Sequence, residues 1–407
     1  MKYTDVLVIG GGASGLAAAI AASEAGARVT LVESNSLGGI LNQCIHNGFG
    51  LKVFKEELTG PEYAARYVDK LSECRNVTVV NGMVTALSKE LVAEIVTTGG
   101  CELVSARAIV LATGCRERAF GALDIASAHP AGIFTAGNAQ KLVNLGGHAV
   151  GKKIVILGSG DIGLIMARRF TLEGAKVEAV LEIMPTPGGL NRNISQCLTD
   201  FNIPLELSTT VVEVRGAERV EEVVTAKVDG ELRPIPGTEK TVKCDTLVLS
   251  VGLLPVVSLV PYAAMDPATR GASADSHGMT SVDGLFSCGN ALHVHDLVDN
   301  VSEESACVGA YAAAYALRRE GRAQTYALKA GDNIASVVPQ RIAVGEDATL
   351  YVRLKKPLVA GAIVAADDNG NSVSKKRGAM APNETVVVKL RAGEIAGDAT
   401  VSAEETE

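Results

Sequence analysis

The chain has 407 residues and a formal net charge of −8, with 38 basic and 46 acidic residues. A chain of that length is too long for one ordinary hydrophobic core, so two or three domains are expected. A content of 47% hydrophobic and 21% charged residues indicates a globular protein. The acidic balance argues against nucleic acid or an anionic membrane surface as a partner, because neither offers a counter-charge.

The first elements make one strand–turn–helix–strand unit. A short apolar strand is predicted over residues 6–9, followed by a glycine turn at 10–15 (GGGASG) and an alanine-rich helix to about Ala25. A second strand over 28–32 ends at Glu33. Short apolar runs that alternate with a helical pattern are typical of a βαβ unit in a parallel sheet.

A second copy of this unit follows later in the chain. It consists of a strand over 153–157, a glycine turn at 158–163 (GSGDIG), a helix over 164–173 and a strand over 176–181 that ends at Glu182. A duplicated βαβ unit with such a turn predicts two nucleotide sites on one chain.

Each copy is followed by a β-rich stretch. In the first, over 77–109, β-branched runs separated by Asn-Gly and Gly-Gly pairs predict antiparallel strands. It ends at 108–114 (AIVLATG), and the second stretch, over 211–242, is followed by a similar strand that meets a glycine at 245–252 (DTLVLSVG). From about Val337 onward, short strands and an Asp-Asn-Gly turn predict a small separate β domain.

Each glycine turn has the spacing that binds a diphosphate. In the first, Gly10 permits a tight turn, Gly12 lets backbone N–H groups approach the diphosphate, and Gly15 allows the helix to pack closely on the strand. The helix N-terminus adds about half a positive charge, and Glu33 can accept both ribose hydroxyls. The alternative is a glycine turn that binds no ligand.

The second copy follows the same logic with Gly158, Gly160, Gly163 and Glu182. An acidic residue at the strand end repels a 2′-phosphate, and no Arg follows it within the next several positions, so NADH is favoured over NADPH. The alternative is a relic domain that no longer binds a nucleotide.

The Cys residues and the N-terminus bear on the compartment. None of the eight Cys residues forms a Cys-x-x-Cys pair, which argues against a disulfide scaffold or a zinc site. Asp5 and the glycine triplet interrupt the first apolar stretch, so it does not read as a signal peptide. No apolar run reaches the length of a membrane span. These features predict a soluble, cytoplasmic protein.

Four landmarks resemble the flavoproteins with two dinucleotide-binding domains, the group that includes glutathione and thioredoxin reductases. They are the turn at 10–15 with Glu33, and the segments 37–39 (LGG), 112–114 (ATG) and 284–290 (GLFSCGN). The resemblance implies FAD in the N-terminal site and the nicotinamide in an inserted domain. The last segment usually ends in Gly-Asp, so the amide of Asn290 must here replace the carboxylate that holds the flavin ribityl chain.

This resemblance completes the predicted fold, an α/β chain of two interleaved Rossmann-type domains plus a small C-terminal β domain. The FAD domain is discontinuous, over 1–118 and 256–330, the NAD domain occupies 119–255, and the β domain occupies 331–407. The residues expected to bind FAD are Gly10, Gly12, Ala13, Ser14, Gly15, Glu33, Ser34, Gly38, Gly39, Thr113, Gly114, Gly289, Asn290 and Val301. Those expected to bind NADH are Gly158, Gly160, Asp161, Ile162, Gly163, Glu182 and Gly252.

A closer resemblance covers almost the whole chain, most specifically at 37–50 (LGGILNQCIHNGFG), 132–137 (GIFTAG), 160–169 (GDIGLIMARR) and 292–299 (LHVHDLVD). These segments look like a bacterial family of FAD/NAD oxidoreductases encoded beside anaerobic glycerol-3-phosphate dehydrogenase-like flavoproteins, often with a small Cys-rich protein. Relatives include the larger subunits of dye-linked proline dehydrogenase, opine oxidases and hydrogen cyanide synthase.

The resemblance implies an oligomeric, multi-subunit glycerol-3-phosphate or 2-hydroxy- or amino-acid dehydrogenase. This chain would pass hydride or electrons between NADH and a small-molecule substrate or a second flavoprotein dehydrogenase subunit. One alternative is a self-sufficient NADH oxidase, peroxidase or disulfide reductase that uses Cys44 alone. Another is a non-catalytic, FAD-binding assembly subunit.

Cys44 and His46 are candidate catalytic residues. In the disulfide reductases a redox Cys pair follows the Gly-Gly turn, and the matching positions here are Leu41 and His46, so dithiol chemistry is not expected. Cys44 is either a thiolate partner of the flavin or a small buried filler. His46 is either a proton donor or acceptor near the flavin or a hydrogen-bonded orienting group.

His293 and His295 precede a helix that is predicted to begin near Asn300, with Asp299 as its N-cap. The helix N-terminus would face the flavin and stabilise its anionic reduced form. One imidazole, that of His295, is expected to act catalytically on flavin or substrate, and the other to be structural. No third ligand of definite spacing accompanies the pair, so no metal is predicted.

Overall fold

The computed structural model describes residues 1–319 and 321–406. These residues form two compact units, one made of Met1–Arg116 together with the residues from Leu254 onward, and one made of Glu117–Leu253. The first unit is discontinuous in the chain and the second is inserted into it, which agrees with the predicted interleaved α/β architecture. The boundary predicted at residues 330 and 331 stays a prediction.

The elements of each stretch follow in chain order. The stretch up to residue 117 contains β1 (Lys2–Ile9), α1 (Ala13–Glu24), β2 (Val29–Glu33), β3 (Asn47–Phe49), β4 (Leu58–Thr59), α2 (Gly60–Glu73), β5 (Val77–Asn81), β6 (Met83–Leu87), β7 (Val92–Thr97), β8 (Gly100–Leu111) and β9 (Cys115–Glu117). The second unit contains β10 (Ala126–Ser127), β11 (Ile133–Thr135), α3 (Ala136–Asn144), β12 (Lys153–Leu157), α4 (Asp161–Leu172), β13 (Lys176–Leu181), α5 (Asn191–Cys197), β14 (Leu205–Glu206), β15 (Thr209–Arg215), β16 (Glu222–Lys227), β17 (Lys240–Lys243) and β18 (Thr246–Leu249).

The last stretch contains β19 (Leu253–Pro255), β20 (Leu285–Ser287), α6 (Val298–Ala316), β21 (Thr325–Ala330), β22 (Ile334–Val338), β23 (Arg341–Ala343), β24 (Ala348–Leu354), β25 (Gly361–Asp367), β26 (Ser372–Arg377), β27 (Val386–Leu390) and β28 (Ala399–Glu405). Within residues 1–319 and 321–406, none of the helices combines the length and the apolar character needed to cross a membrane.

The main sheet of the first unit has the strand order β5-β2-β1-β8-β7-β6, with β20 also paired to β8. β1 runs parallel to β2 and β8, and places Val6 beside Val29 and Ala108. β6, β7 and β8 are antiparallel, as predicted. The prediction is wrong for β5, which pairs parallel with β2. The Asn-Gly pair after β5 therefore leads the chain out of the parallel part of the sheet and does not close a hairpin.

Two helices cover one face of this sheet in close contact. α1 is rich in alanine, and Ala17, Ala18, Ala19 and Ala22 are buried. A Cβ atom at Gly309 of α6 would lie only 2.2 Å from the carbonyl oxygen of Ala18. The small side chains and this glycine therefore allow the two helix backbones to approach, and both helices begin beside the first glycine turn.

α2 was not predicted, although its start carries a local signal. The hydroxyl of Thr59 accepts the backbone N–H of Glu62, and the Glu62 carboxylate accepts the N–H of Thr59 at 2.8 Å, which makes a capping box. We expect Thr59→Ala to lower the free energy of unfolding by about 1 kcal/mol, because a helix N–H loses its partner. Chemical denaturation measures this effect. The same substitution at the exposed Thr98, in the turn between β7 and β8, is the control, and equal losses for both variants would contradict the assignment.

The second unit is built on a parallel sheet with the order β11-β18-β12-β13-β14. The predicted bounds of β12 and β13 are confirmed, whereas α4 begins at Asp161, three residues before the predicted start. Ile154, Ile156, Leu164 and Phe170 are among the buried residues that pack α4 on this sheet. A second sheet, β10-β15-β16-β17, contains the predicted β-rich stretch.

The C-terminal part of the first unit forms two further sheets, β23-β21-β28-β25-β26 and β22-β24-β27. Leu350, Val352, Ile363 and Val401 lie in the apolar core that these strands share. The strands begin at Thr325, earlier than the predicted start near Val337. The predicted Asp-Asn-Gly turn is confirmed as the connection between the antiparallel strands β25 and β26.

Candidate functional site

The first glycine turn contains two positions where the surrounding backbone leaves room only for glycine. Gly10 has a φ of 104°, and a Cβ atom there would lie 2.4 Å from the carbonyl oxygen of Ala112. A Cβ atom at Gly15 would lie 1.7 Å from the carbonyl oxygen of Gly10. β1, α1 and the end of β8 therefore meet at backbone contact, which aims the N-terminus of α1 at the end of the sheet.

Gly12 differs from these two glycines because it faces open space. It is the N-cap of α1 with a φ of −74°, and a Cβ atom there would meet nothing within 4 Å. The first turn of α1, with Ala13 and Ser14, contains no acidic residue. Its backbone N–H groups can therefore take an anion, and this open cradle fits a diphosphate.

Glu33 ends β2 beside this cradle. Its carboxylate accepts the backbone N–H of Gly11 at 2.6 Å and that of Asn35 at 2.7 Å. The neighbouring Ser34 is exposed and accepts a hydrogen bond from the Asn35 amide. The carboxylate is thus fixed next to the glycine turn, where the sequence expects a ribose.

The second glycine turn repeats these contacts. Gly158 has a φ of 97°, and a Cβ atom there would lie 2.1 Å from the carbonyl oxygen of Ser250. A Cβ atom at Gly163 would lie 2.7 Å from the Cβ atom of Ser250. Gly160 is the N-cap of α4. The two copies of the module therefore agree in conformation as well as in sequence.

Glu182 takes the place of Glu33 in the second copy. Its carboxylate accepts the N–H of Ser159 at 2.9 Å and the N–H of Met184 at 2.9 Å. In both copies the carboxylate therefore accepts two backbone N–H groups. One belongs to the residue after the first glycine of the turn, and the other to the residue two places after the acidic residue itself. Glu182 additionally accepts the Ser159 hydroxyl at 2.6 Å, and it is buried.

Three further residues expected at the second site lie around the same turn. Asp161 is the first residue of α4, and its carboxylate accepts the N–H of Leu190 at 2.8 Å and the side-chain amide of Asn193 at 2.7 Å. Ile162 packs against the apolar core of this unit. Gly252 follows β18 with a φ of 101°. Asp161 therefore organises the loop that follows Glu182.

Residues that are distant in the sequence meet at the first site. Gly289 has a φ of 58°, and a Cβ atom there would lie 1.9 Å from Ser14 Oγ and 3.1 Å from Val301 Cγ1. The start of α1, the segment after β20 and the first turn of α6 are thereby brought together. Sequence reasoning placed all three residues at the FAD site.

The amide of Asn290 has partners within the protein. Its oxygen accepts the N–H of His295 at 3.0 Å, and its nitrogen lies 3.5 Å from Cys115 Sγ. Cys115 was missed by the sequence analysis, although it directly follows Thr113 and Gly114. The Thr113 hydroxyl donates to the carbonyl oxygen of Val256 at 2.6 Å, so this segment is fixed on both sides of Gly114.

The segment after Glu33 folds back onto the first cradle. The N–H of Gly38 donates to the carbonyl oxygen of Gly11 at 2.8 Å, and a Cβ atom at Gly39 would lie 3.1 Å from the Cα atom of Gly12. A short 3-10 helix, Gly39–Gln43, then leads to the candidate catalytic residues.

Cys44 follows this helix, and its thiol donates to the carbonyl oxygen of Ile40 at 3.3 Å. Burial raises the pKa of Cys44 to about 12, so the thiol is protonated at neutral pH. Because the thiolate is the reactive form, this high pKa disfavours thiolate chemistry at Cys44, whose side chain is half-buried. His46 is half-buried, with Nδ1 3.0 Å from the carbonyl oxygen of Asn47 and its ring tilted against Phe49.

The start of α6 differs from the prediction. The helix begins at Val298, and its N-cap is Leu297 without a side-chain hydrogen bond, so the assignment of Asp299 as N-cap is wrong. Asp299 lies in the first turn, and its carboxylate accepts the backbone N–H of Lys52 at 3.1 Å. Pairing with a distant backbone group therefore replaces the local capping bond.

His293 and His295 meet a carboxylate that the sequence did not reveal. His293 Nε2 lies 2.9 Å from Glu304 Oε2, and His295 Nε2 lies 3.3 Å from the same oxygen. Burial and the neighbouring His295 lower the pKa of His293. Burial alone would raise the pKa of Glu304, but the two imidazoles outweigh it and hold that pKa well below its ordinary range. The His295 side chain, which was expected to act catalytically, is only 1% exposed.

Comparisons with known proteins agree with this geometry. The family model of pyridine nucleotide-disulphide oxidoreductases matches residues 4–309, which include both glycine turns. The mitochondrial dihydrolipoyl dehydrogenase of Caenorhabditis elegans is 27% identical over 344 residues, covering 74% of this chain and 66% of that protein. The thioredoxin reductase of Treponema pallidum (strain Nichols) is 26% identical over 302 residues, covering 70% of this chain and 88% of that protein.

An opine oxidase subunit of Agrobacterium tumefaciens (strain Ach5) is 23% identical over 319 residues, covering 72% of this chain and 62% of that protein. The chain thus spans less than two thirds of the length of that relative. Two solved structures share the fold. Thioredoxin reductase of T. acidophilum has a TM-score of 0.63 at 21% identity, covering 79% of this chain and 100% of that one. L-proline dehydrogenase of P. horikoshii has a TM-score of 0.54 at 20% identity, covering 79% of this chain and 57% of that one.

The broad resemblance seen in the sequence is confirmed by these matches, while the closer one, to flavoproteins encoded beside glycerol-3-phosphate dehydrogenase-like proteins, stays a prediction. The matched residues hold both glycine turns, both strand-end carboxylates and the Gly289 segment. Members of this family bind FAD and NAD(P)H. The chain therefore belongs to the pyridine nucleotide-disulphide oxidoreductase family and is an NAD(P)/FAD-dependent oxidoreductase.

Proposed function

We propose that the chain carries hydride or electrons between NADH and a redox partner by way of one bound FAD. The observation that carries this proposal is the agreement of the two cradles. Glu33 and Glu182 each accept the N–H of the residue after the first glycine, at 2.6 and 2.9 Å. Two such cradles on one chain suit two dinucleotides.

The residues around the first cradle suit FAD. The open face of Gly12 and the N-terminus of α1 would hold the diphosphate, and Glu33 would hold the adenosine ribose. Gly289 and Asn290 would lie along the ribityl chain, with Val301 in the first turn of α6. Bound FAD supplies the acceptor for a hydride from the nicotinamide, and the chain supplies position and electrostatics. His46 is the proposed proton donor or acceptor.

The second cradle suits NADH better than NADPH. The Glu182 carboxylate is buried and accepts three hydrogen bonds, from the N–H and hydroxyl of Ser159 and the N–H of Met184. These bonds fix its position. A fixed negative charge at the ribose repels a 2′-phosphate.

The physiological acceptor or donor is proposed to lie on another polypeptide. The segment after the Gly-Gly turn holds one thiol, Cys44, which is protonated at neutral pH, so an internal disulfide cycle is not supported. The likeness to one of the subunits of opine oxidase supports a multi-subunit complex. The proposed partner is a second flavoprotein dehydrogenase subunit, with a small Cys-rich protein, in a cytoplasmic glycerol-3-phosphate, 2-hydroxy-acid or amino-acid dehydrogenase.

Anaerobic mixing of the FAD-loaded protein with NADH tests this proposal. We expect loss of absorbance near the oxidised-flavin band, at about 450 nm, and its return when a dye acceptor is added. NADPH is expected to act more slowly. A protein that binds FAD and shows no bleaching with either nucleotide has a role in assembly only, and that result would overturn the proposal.

Replacing Cys44 with serine is expected to leave NADH-dependent dye reduction within about two-fold of the wild type, because a protonated, half-buried thiol takes no part in the transfer. Steady-state kinetics with a dye acceptor measures this. Cys74→Ser is the matched control, since the Cys74 thiol also lies against the carbonyl oxygen four residues earlier, that of Lys70, at 3.5 Å. Loss of turnover in Cys44→Ser alone would favour the peroxidase or disulfide reductase alternative.

A further inference from the structure

Three side chains of types that bind metals meet where the segment after β20 lies against α6. Ligand atoms of His293, His295 and Glu304 all lie within 4.8 Å of one another, and among the described residues no other group of this kind occurs. Two imidazole nitrogens and a carboxylate oxygen bound at about 2.1 Å in a tetrahedral arrangement would lie about 3.4 Å apart. The two distances from Glu304 Oε2, 2.9 and 3.3 Å, are close to that spacing.

His295 supplies the second observation. Its side chain is 1% exposed, and neither ring nitrogen has a hydrogen-bond partner, because the 3.3 Å approach of Nε2 to Glu304 lacks hydrogen-bond geometry. A buried polar group without a partner destabilises the folded state. An imidazole that faces a carboxylate and a second imidazole, and yet makes no hydrogen bond, is suited to bind a cation.

The surroundings hold the three donors in place. Glu304 Oε1 accepts the N–H of Gly289 at 2.7 Å, which orients the carboxylate and leaves Oε2 directed at the imidazoles. The ring of Tyr351 packs against both imidazoles, with centroids 4.9 and 5.0 Å away. The nearby Arg353 is paired with Asp296, so its positive charge is compensated.

We propose that His293, His295 and Glu304 bind one divalent transition-metal ion of the Zn²⁺ type. Two neutral imidazoles and one carboxylate leave a single negative charge in a buried site, which a divalent cation would more than compensate. Imidazole ligands favour Zn²⁺ or Fe²⁺ over Mg²⁺. The ion would join the segment that begins at Gly289 to α6, and would give His295 a structural role instead of the predicted catalytic one.

Metal analysis of the FAD-loaded, full-length protein tests the proposal. The protein carries no histidine tag, is stripped with a chelator and is then dialysed against Zn²⁺, Mg²⁺ or, without oxygen, Fe²⁺. We expect about one Zn²⁺ per chain to survive gel filtration and to raise the melting temperature, with no retention of Mg²⁺. In His295→Ala and Glu304→Gln we expect metal content to fall at least about ten-fold.

The control is His277→Ala, because His277 is also buried and its Nε2 lies 2.8 Å from a carboxylate, that of Glu346. This variant is expected to keep the wild-type metal content. The proposal is overturned if the wild type retains neither Zn²⁺ nor Fe²⁺, or if His277→Ala loses as much metal as the cluster variants. FAD content shows whether the cluster variants fold. If they do not, the Zn²⁺ stoichiometry of the wild type and its shift in melting temperature decide the outcome.

Discussion

Alanine at Gly15 is expected to destabilise the first unit by more than about 3 kcal/mol, whereas alanine at Gly12 leaves the fold intact and lowers FAD affinity about ten-fold or more. A Cβ atom at Gly15 would lie 1.7 Å from the carbonyl oxygen of Gly10 and 2.8 Å from its carbonyl carbon, and this backbone cannot move aside as a flexible side chain could. A Cβ atom at Gly12 would meet no protein atom within 4 Å. It would instead occupy the space through which a diphosphate reaches the N-terminus of α1.

Denaturant unfolding of the FAD-free protein measures the first effect, and titration with FAD followed by flavin fluorescence measures the second. Gly99→Ala is the control, because its Cβ atom would make only an ordinary contact, 3.6 Å from Thr97 Oγ1. If Gly12→Ala binds FAD as tightly as the Gly99 variant does, the assigned position of the diphosphate is wrong.

Replacing Glu182 with glutamine is expected to lower the preference for NADH over NADPH, measured as the ratio of the two kcat/KM values, about ten-fold or more. The amide keeps the size of the side chain, and its oxygen can still accept from Ser159, whereas its NH2 group cannot accept the N–H of Met184. The charge that repels a 2′-phosphate is gone. Glu33→Gln makes the same change in the first cradle. There we expect weaker FAD binding and an unchanged nucleotide preference.

Steady-state dye reduction with each nucleotide, on protein fully loaded with FAD, gives these ratios. A shift of preference in both variants would mean that the two cradles do not hold different dinucleotides. No shift in either would mean that the NADH preference, if present, arises from a contact other than Glu182.

The sequence predicted the parts of the fold and site that depend on local geometry. The glycine turns were found because φ values near 100° at Gly10 and Gly158 restrict those positions to glycine, and the flanking strands follow from short apolar runs. The direction of β5 was missed, since the choice between a parallel and an antiparallel neighbour is made by distant strands. α2 was missed, although the Thr59 and Glu62 pair that forms its capping box can be recognised in the sequence.

Side chains that complete the site across long separations were also missed. Glu304 reaches the two imidazoles and the N–H of Gly289 only because α6 returns along the segment after β20. Cys115 comes close to Asn290 because β8 and β20, which precede these two residues, pair in one sheet. Spacing along the chain does not show which distant residues meet, so the sequence offered no third side chain to accompany the two imidazoles.

The meeting of Ser14 with Gly289, and of Ala18 with Gly309, has a consequence for biosynthesis. One wall of the flavin cradle is among the first parts of the polypeptide to leave the ribosome, and the opposite wall is made only after about two thirds of the chain has been translated. Tight binding of the FAD proposed for this cradle would then wait until α6 has been made, with the whole inserted unit already produced in the interval. A nascent chain released before α6 would present a βαβ unit that cannot retain its flavin.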